Sequence, residues 1–290
     1  KLEAVDYPDL YDSADESSAS AQQWYFGTAL AEYGLLAATP LVSIFLDEPK
    51  QQSFTYLGLL ILLVGVTTAR FLMNFDEKWY RSRALAESIK TTCWRFMMRA
   101  EPFEDAANID VPEAAFTSFL EQILTENREL GSRLESRTET KGQITHRMRE
   151  LRRLSLDQRR SFYLSNRIIE QQKWYSRKSK YNKHQKFVWF FAVLLCYSAI
   201  FFAIGGGLVS LSNNWDVISV FVVIGTSLLG WIKSKRFGEL QSSYNLTAHE
   251  IGIIQSRSDH VRSESDFSDF VNQAELASSR EHTQWTARRD

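Results

Sequence analysis

The chain has 290 residues, 24% of them charged and 44% hydrophobic, with 34 Lys and Arg against 35 Asp and Glu. The net charge of −1 conceals a strong partition along the chain, and two cysteines, Cys93 and Cys196, exclude a secreted disulfide framework. Mean hydropathy is slightly negative only because four long apolar runs are averaged with a highly charged remainder.

The acidic first stretch leads into an apolar run from Ala29 to Leu46, and a second run from Phe54 to Met73 follows after the short connector Asp47 to Ser53. Phe187 to Ser210 and Val217 to Ile232 repeat the pattern around Leu211 to Asp216. Each run is long enough to cross all or most of a bilayer core, which takes ~20 residues of helix. Backbone groups in lipid must be satisfied internally, so helices are expected. A soluble bundle with buried central helices is the competing reading, but Phe187 to Phe202 has no polar face.

Residues 74 to 186 hold 23 Lys and Arg against 16 Asp and Glu, while the two connectors together hold one Lys and three acids. Basic residues stay on the cytoplasmic side, so the long middle and both termini are expected inside and the connectors outside. No cleavable signal is expected, because Asp15 and Glu16 precede the first run without a basic leader. Arg70 lies 16 residues past Phe54 and Lys233 lies 16 past Val217, a depth of ~24 Å at helical rise. Glu32 falls near the level of Arg70, and an ion pair between them would offset the cost of a lone charge at that depth.

Pro40 should kink the first span, and Gly205, Gly206 and Gly207 weaken the third near its outer end. These are packing features or elements of a pore gate. Asp47, Glu48 and Asp216 either ring a cation-attracting outer mouth or simply mark a positive-inside protein. Thr67, Thr68 and Thr226 supply modest polarity within the spans.

Beyond the second span, Asp76 to Met98 reads as helix, Pro102 marks a turn, and Pro112 suits the first turn of a helix carrying Phe116, Phe119, Leu120, Ile123, Leu124, Leu130 and Leu134. The stretch Gly131 to Gly142 is a polar connector that divides the chain into modules 1–135 and 143–290. A helix starts near Thr145, Ser155 and Gln158 form a capping-box pattern, and Lys173 to Lys186 is a basic anchor placed to lie on anionic headgroups, not a nucleic-acid groove. Leu240, Tyr244, Ala248, Ile251 and Ile254 mark one more apolar face. The fold expected is all-α: an integral membrane protein with four spans in two hairpins over a cytoplasmic helical bundle.

The five histidines, 146, 184, 249, 260 and 282, show no metal-ligand spacing, and no phosphate-binding glycine loop occurs. Neither catalysis nor a cofactor is expected. The order helix, span, turn, span, helix occurs twice, with Gln22-Gln23-Trp24-Tyr25 echoed by Gln171-Gln172-Lys173-Trp174-Tyr175.

The stretch Tyr80 to Phe103 (YRSRALAESIKTTCWRFMMRAEPF) resembles the signature following the hairpin in one subfamily of SLATT domains, the SMODS and SLOG-associating two-transmembrane effectors. Ser278 to Arg289 (SSREHTQWTARR) resembles the closing signature of a second subfamily, and Leu10 to Tyr25 and Arg167 to Tyr175 are similar to the entries of the two modules. The resemblance implies a tandem membrane effector of bacterial conflict systems that forms homo-oligomeric pores in the inner membrane during phage defence, triggered by nucleotide-producing or nucleotide-sensing proteins. A non-conducting scaffold or receptor recruiting a soluble partner is the alternative. Within the signatures, Arg83, Glu87, Lys90 and Trp94 share one helical stripe. Together with Arg280, Glu281, His282 and Trp285 they are expected to serve as assembly contacts or to receive the activating signal.

Overall fold

The computed structural model describes residues 5–104, 107–128, 142–205 and 215–287, with the backbone alone for 215–216 and 279–287. Every element of regular structure among the described residues is helical: α1 (Asp9–Ala38), α2 (Val42–Phe45), α3 (Pro49–Met73), α4 (Phe75–Met98), α5 (Asp110–Glu126), α6 (His146–Arg153), α7 (Leu156–Tyr163), α8 (Glu170–Gly205), α9 (Trp215–Lys235), α10 (Phe237–Arg257) and α11 (Glu264–Ala287). Among the described residues, four helical stretches are long and apolar enough to cross a membrane. With their large apolar side chains facing outward, this is a multi-pass membrane protein. Contacts divide it into two compact units, and each draws on both halves of the sequence.

The first unit is Gln22–Phe75 with Ser179–Ser242. Pro40 lacks the donor a continuing helix needs, so α1 stops at Ala38 and the chain passes Pro40 in a single 3-10 turn, Thr39–Leu41, before α2. The helical stretch is interrupted there in its hydrogen-bond ladder but continues through the turn to Phe45. Pro49 occupies the first turn of α3, where a missing N–H costs nothing, and this shortens the connector to three residues, Leu46 to Glu48. Asn74 closes α3 in the left-handed region at φ 44°, and Arg236 closes α9 in the same way at φ 50°. Each is followed by a phenylalanine that opens the next helix. The turns from α3 to α4 and from α9 to α10 therefore share a joint that the sequence pattern conceals.

Packing in this unit centres on α9. A Cβ on Gly230 would stand 2.7 Å from the Tyr33 ring of α1, so any larger residue there would have to displace that ring. The Tyr33 hydroxyl lies 3.0 Å from Ser234 Oγ. On α8, Trp189 packs edge-on to Trp231 at 6.2 Å, and Gly225 admits Tyr197. By contrast, α3 buries none of its residues.

The second unit is Lys1–Ala21, Asp76–Lys178 and Ser243–Asp290, and its apolar core joins Leu85, Ile89, Trp94 and Met97 of α4, Phe116 of α5, Met148 of α6, Tyr163 of α7, Ile251 of α10 and Phe267 of α11. The last turn of α4 ends in a reciprocal cap: Arg99 at φ 56° donates to Phe96 O at 3.3 Å and Ala100 to Arg95 O at 2.9 Å. Two buried arginines satisfy carbonyls nearby. Arg152 donates to Phe96 O at 2.6 Å and Phe103 O at 2.7 Å, and Arg159 to Met98 O at 2.6 Å. Their charge also opposes the negative end of the helix dipole.

Ser155 and Gln158 make both halves of a capping box at the start of α7. Between α7 and α8 the helix widens into one π-helical segment, Leu164–Ile169. Side chains fill in for the disturbed ladder, with Asn166 Nδ2 donating to Phe162 O at 2.9 Å and Ser165 Oγ to Ser161 O at 2.9 Å.

Candidate functional site

The π-helical segment carries Arg167 into the core of the second unit, where its side chain is 2% exposed and meets Glu275 of α11, 0% exposed. Arg167 Nη2 donates to Glu275 Oε2 at 2.6 Å and Nε to Oε1 at 3.0 Å, a bidentate pair. Tyr163 OH adds a third hydrogen bond to Oε1 at 2.8 Å. The guanidinium also lies 6.0 Å from the Trp94 ring centre. Trp94 in turn donates to Tyr7 OH at 3.0 Å and packs edge-on to Tyr163 at 5.5 Å. One buried polar cluster thus joins α4, α7, the π-helical segment and α11 to the residues before α1.

On α4 the expected stripe is present. Arg83 and Lys90 approach Glu87 to 4.0 and 3.8 Å, and Trp94 one turn further is 1% exposed. Burial works against the charge of Arg167, but the Glu275 carboxylate outweighs it and holds the guanidinium above its ordinary range. Burial pushes the Lys90 ammonium down, with Glu87 opposing. It pushes the hydroxyls of Tyr7 and Tyr163 up, and at Tyr163 the Glu275 charge adds to the effect. These directions favour the cation at Arg167 and the protonated phenol at both tyrosines, Tyr163 donating to Glu275 and Tyr7 accepting from Trp94.

The apolar unit contains a second polar contact, between Arg70 Nη1 of α3 and Glu32 Oε2 of α1 at 2.7 Å. Arg70 also lies 5.2 Å from the Tyr25 ring centre, and Trp24 stacks on Phe75 at 6.0 Å. The structure therefore brings Glu32 and Arg70 together. Asp47 and Glu48 are exposed between α2 and α3, Thr67 and Thr68 are exposed on α3, and Thr226 is exposed on α9 with its hydroxyl turned back to Val222 O at 2.8 Å. Gly205 is the last residue of α8, whereas Gly206 and Gly207 lie outside the described residues. Asp216 belongs to the first turn of α9, and Arg280, Glu281, His282 and Trp285 to the end of α11, but their side chains lie outside the described set.

Sequence reasoning missed the Arg167–Glu275 pair. Its signal was a carboxylate standing on an apolar stripe, because Glu275 sits among Val271, Ala274 and Ala277. A charge in that position requires a partner.

Residues 8–160 match the family model described as SMODS and SLOG-associating 2TM effector domain 3, and residues 163–285 match SMODS and SLOG-associating 2TM effector domain 1. The two stretches meet immediately before the π-helical segment. Neither the curated proteins nor the solved structures yielded a match. The first of these stretches alone spans more than half of the chain, and the protein belongs to the SMODS and SLOG-associating 2TM effector family.

Proposed function

We propose that this protein is an oligomeric, pore-forming effector of a bacterial defence system, gated through its cytoplasmic helices. The observation that carries the reading is α3. It is long and apolar enough to span a bilayer, buries none of its residues within the protomer, and yet exposes Thr67 and Thr68. Hydroxyls gain nothing from lipid, but they can line water where several copies meet. Four spans in two hairpins are too few to enclose a hydrated path, so assembly is required.

The charge partition supports an inner-membrane orientation with both termini in the cytosol, and a tag at either end accessible only after the cells are opened would test it. Helices α1, α8 and α10 each contribute residues to both units, which supports gating by repacking of the helices around Arg167 and Glu275. A stimulus can shift closed toward open only by binding the two states unequally. The family description names association with SMODS and SLOG, and on this reading the source of the stimulus is a nucleotide-signalling or sensor protein. The membrane-anchored scaffold is favoured instead by the wholly apolar exposed surface of Phe187, Phe190, Phe191, Leu194 and Leu195 on α8. The mass of the detergent-extracted particle tests the proposal: a multimer is expected, and a monomer at every concentration overturns the pore.

A further inference from the structure

The two hairpins are chemically unequal at one end of the apolar unit. In the first, the charged residues at that level are Glu32 and Arg70, which neutralise each other at 2.7 Å, and the nearby Gln22, Gln23 and Thr28 are uncharged. In the second, α8 exposes Lys180, Lys183 and Lys186 within two turns, and α9 adds exposed Lys233. Lys186 lies across the start of α10, its Nζ 3.8 Å from where a Cβ on Gly238 would stand. Arg236 is occupied by Glu239 at 2.5 Å, and Lys235 is folded over the Phe26 ring at 3.2 Å. Those two cations are committed within the protein.

Immediately after Lys186 the exposed surface of the same helix turns apolar, with Phe187 50%, Phe190 55% and Phe191 60% exposed. A single rigid helix thus places ammonium groups at the edge of a surface that belongs in hydrocarbon. The anion found at that depth is the phosphate of a lipid headgroup. Lysine stems long enough to reach along the boundary complete the fit.

We infer that Lys180, Lys183, Lys186 and Lys233 form a docking surface for anionic phospholipid, carried by the second hairpin and lacking in the first. This goes beyond the proposed function, because it requires membrane insertion but not conduction.

The full chain, purified in a non-ionic detergent, is mixed with phosphatidylglycerol or phosphatidylcholine, and the lipid retained is counted by native mass spectrometry. Wild type is expected to retain phosphatidylglycerol preferentially. The triple substitution Lys180→Gln, Lys183→Gln and Lys186→Gln is expected to lose that preference, at roughly fivefold per cation and on the order of a hundredfold in all. The corresponding triple substitution to Arg keeps it, separating loss of charge from loss of fold. Lys50→Gln, an exposed lysine beside the other connector, changes nothing. Equal retention of the two lipids by wild type, or unchanged retention by the glutamine variant, overturns the inference. Complete displacement of the lipid by inorganic phosphate, or by a short RNA, reassigns the surface to a soluble anion and overturns it as well.

Discussion

Replacing Glu275 with Gln removes one charge from the buried cluster and almost no volume. Arg167 then stays 2% exposed without its carboxylate, and it cannot escape by losing a proton. A carboxamide offers one oxygen where the carboxylate offered two: kept on Arg167 Nε and the Tyr163 hydroxyl, it leaves Arg167 Nη2 facing an NH2 group, and the 2.6 Å hydrogen bond is lost. Breaking one side of a fully buried pair costs about 3–5 kcal/mol, which shifts the unfolding equilibrium by ~10²–10⁴. The double substitution Arg167→Met with Glu275→Leu removes both desolvation penalties and should recover most of the loss. Thermal and denaturant unfolding of the full chain in detergent, followed by far-UV circular dichroism, measures Glu275→Gln and the four corners of the cycle: wild type, Arg167→Met, Glu275→Leu and the double variant. If Glu275→Gln falls within 1 kcal/mol of wild type, or if the two single losses simply add in the double variant, the pair is not the closed buried contact described here.

Gly230→Ala places a methyl group 2.7 Å from the Tyr33 ring and should lower the melting temperature, with Tyr33→Ala restoring it in the double variant; failure of that rescue would show that the two residues do not touch. Asn74→Val should cost about 1–2 kcal/mol, because a β-branched residue is strained at φ 44°, whereas Asn74→Gly should be close to neutral in the same unfolding assay. The hydrogen bonds from Arg149 at 2.7 and 2.8 Å hold the Glu113 carboxyl below its ordinary range. Its contribution is therefore complete above the unfolded value of ~4.3 and is lost as pH falls through the lower folded value. The pair is partly exposed, so no more than about 1 kcal/mol is at stake. Melting curves of Glu113→Gln between neutral and acid pH should show that component gone, and an unchanged acid slope would count against it.

The helices were legible because long apolar runs and caps are local features. Pro112 marks a helix start because it has no N–H to leave unpaired in a first turn, and Thr145 and the Ser155–Gln158 box do so through the backbone N–H groups they satisfy, whatever the helices pack against. The left-handed joints at Asn74 and Arg236 were not legible, since arginine gives no hint of positive φ and the residues on either side favour helix. Nor was the π-helical segment, which adds a residue to a helical turn without any breaker. At the site, the α4 stripe of Arg83, Glu87, Lys90 and Trp94 followed from helical spacing alone. The pairing of Arg167 with Glu275 spans 108 residues and depends on how α11 packs, which periodicity does not specify. Glu32 and Arg70 lay between these cases, because depth in a bilayer is a ruler that relates two helices without knowledge of their contact.

Conductance across liposomes tests the central claim most directly, using the full chain reconstituted at a density where particle mass shows it assembled. Ion gradients should collapse through discrete, gated openings, and Glu275→Gln, which loosens the helices joined by the buried cluster, should change how often they occur. Vesicles that stay tight while holding assembled wild-type and Glu275→Gln protein would contradict the pore and leave the scaffold.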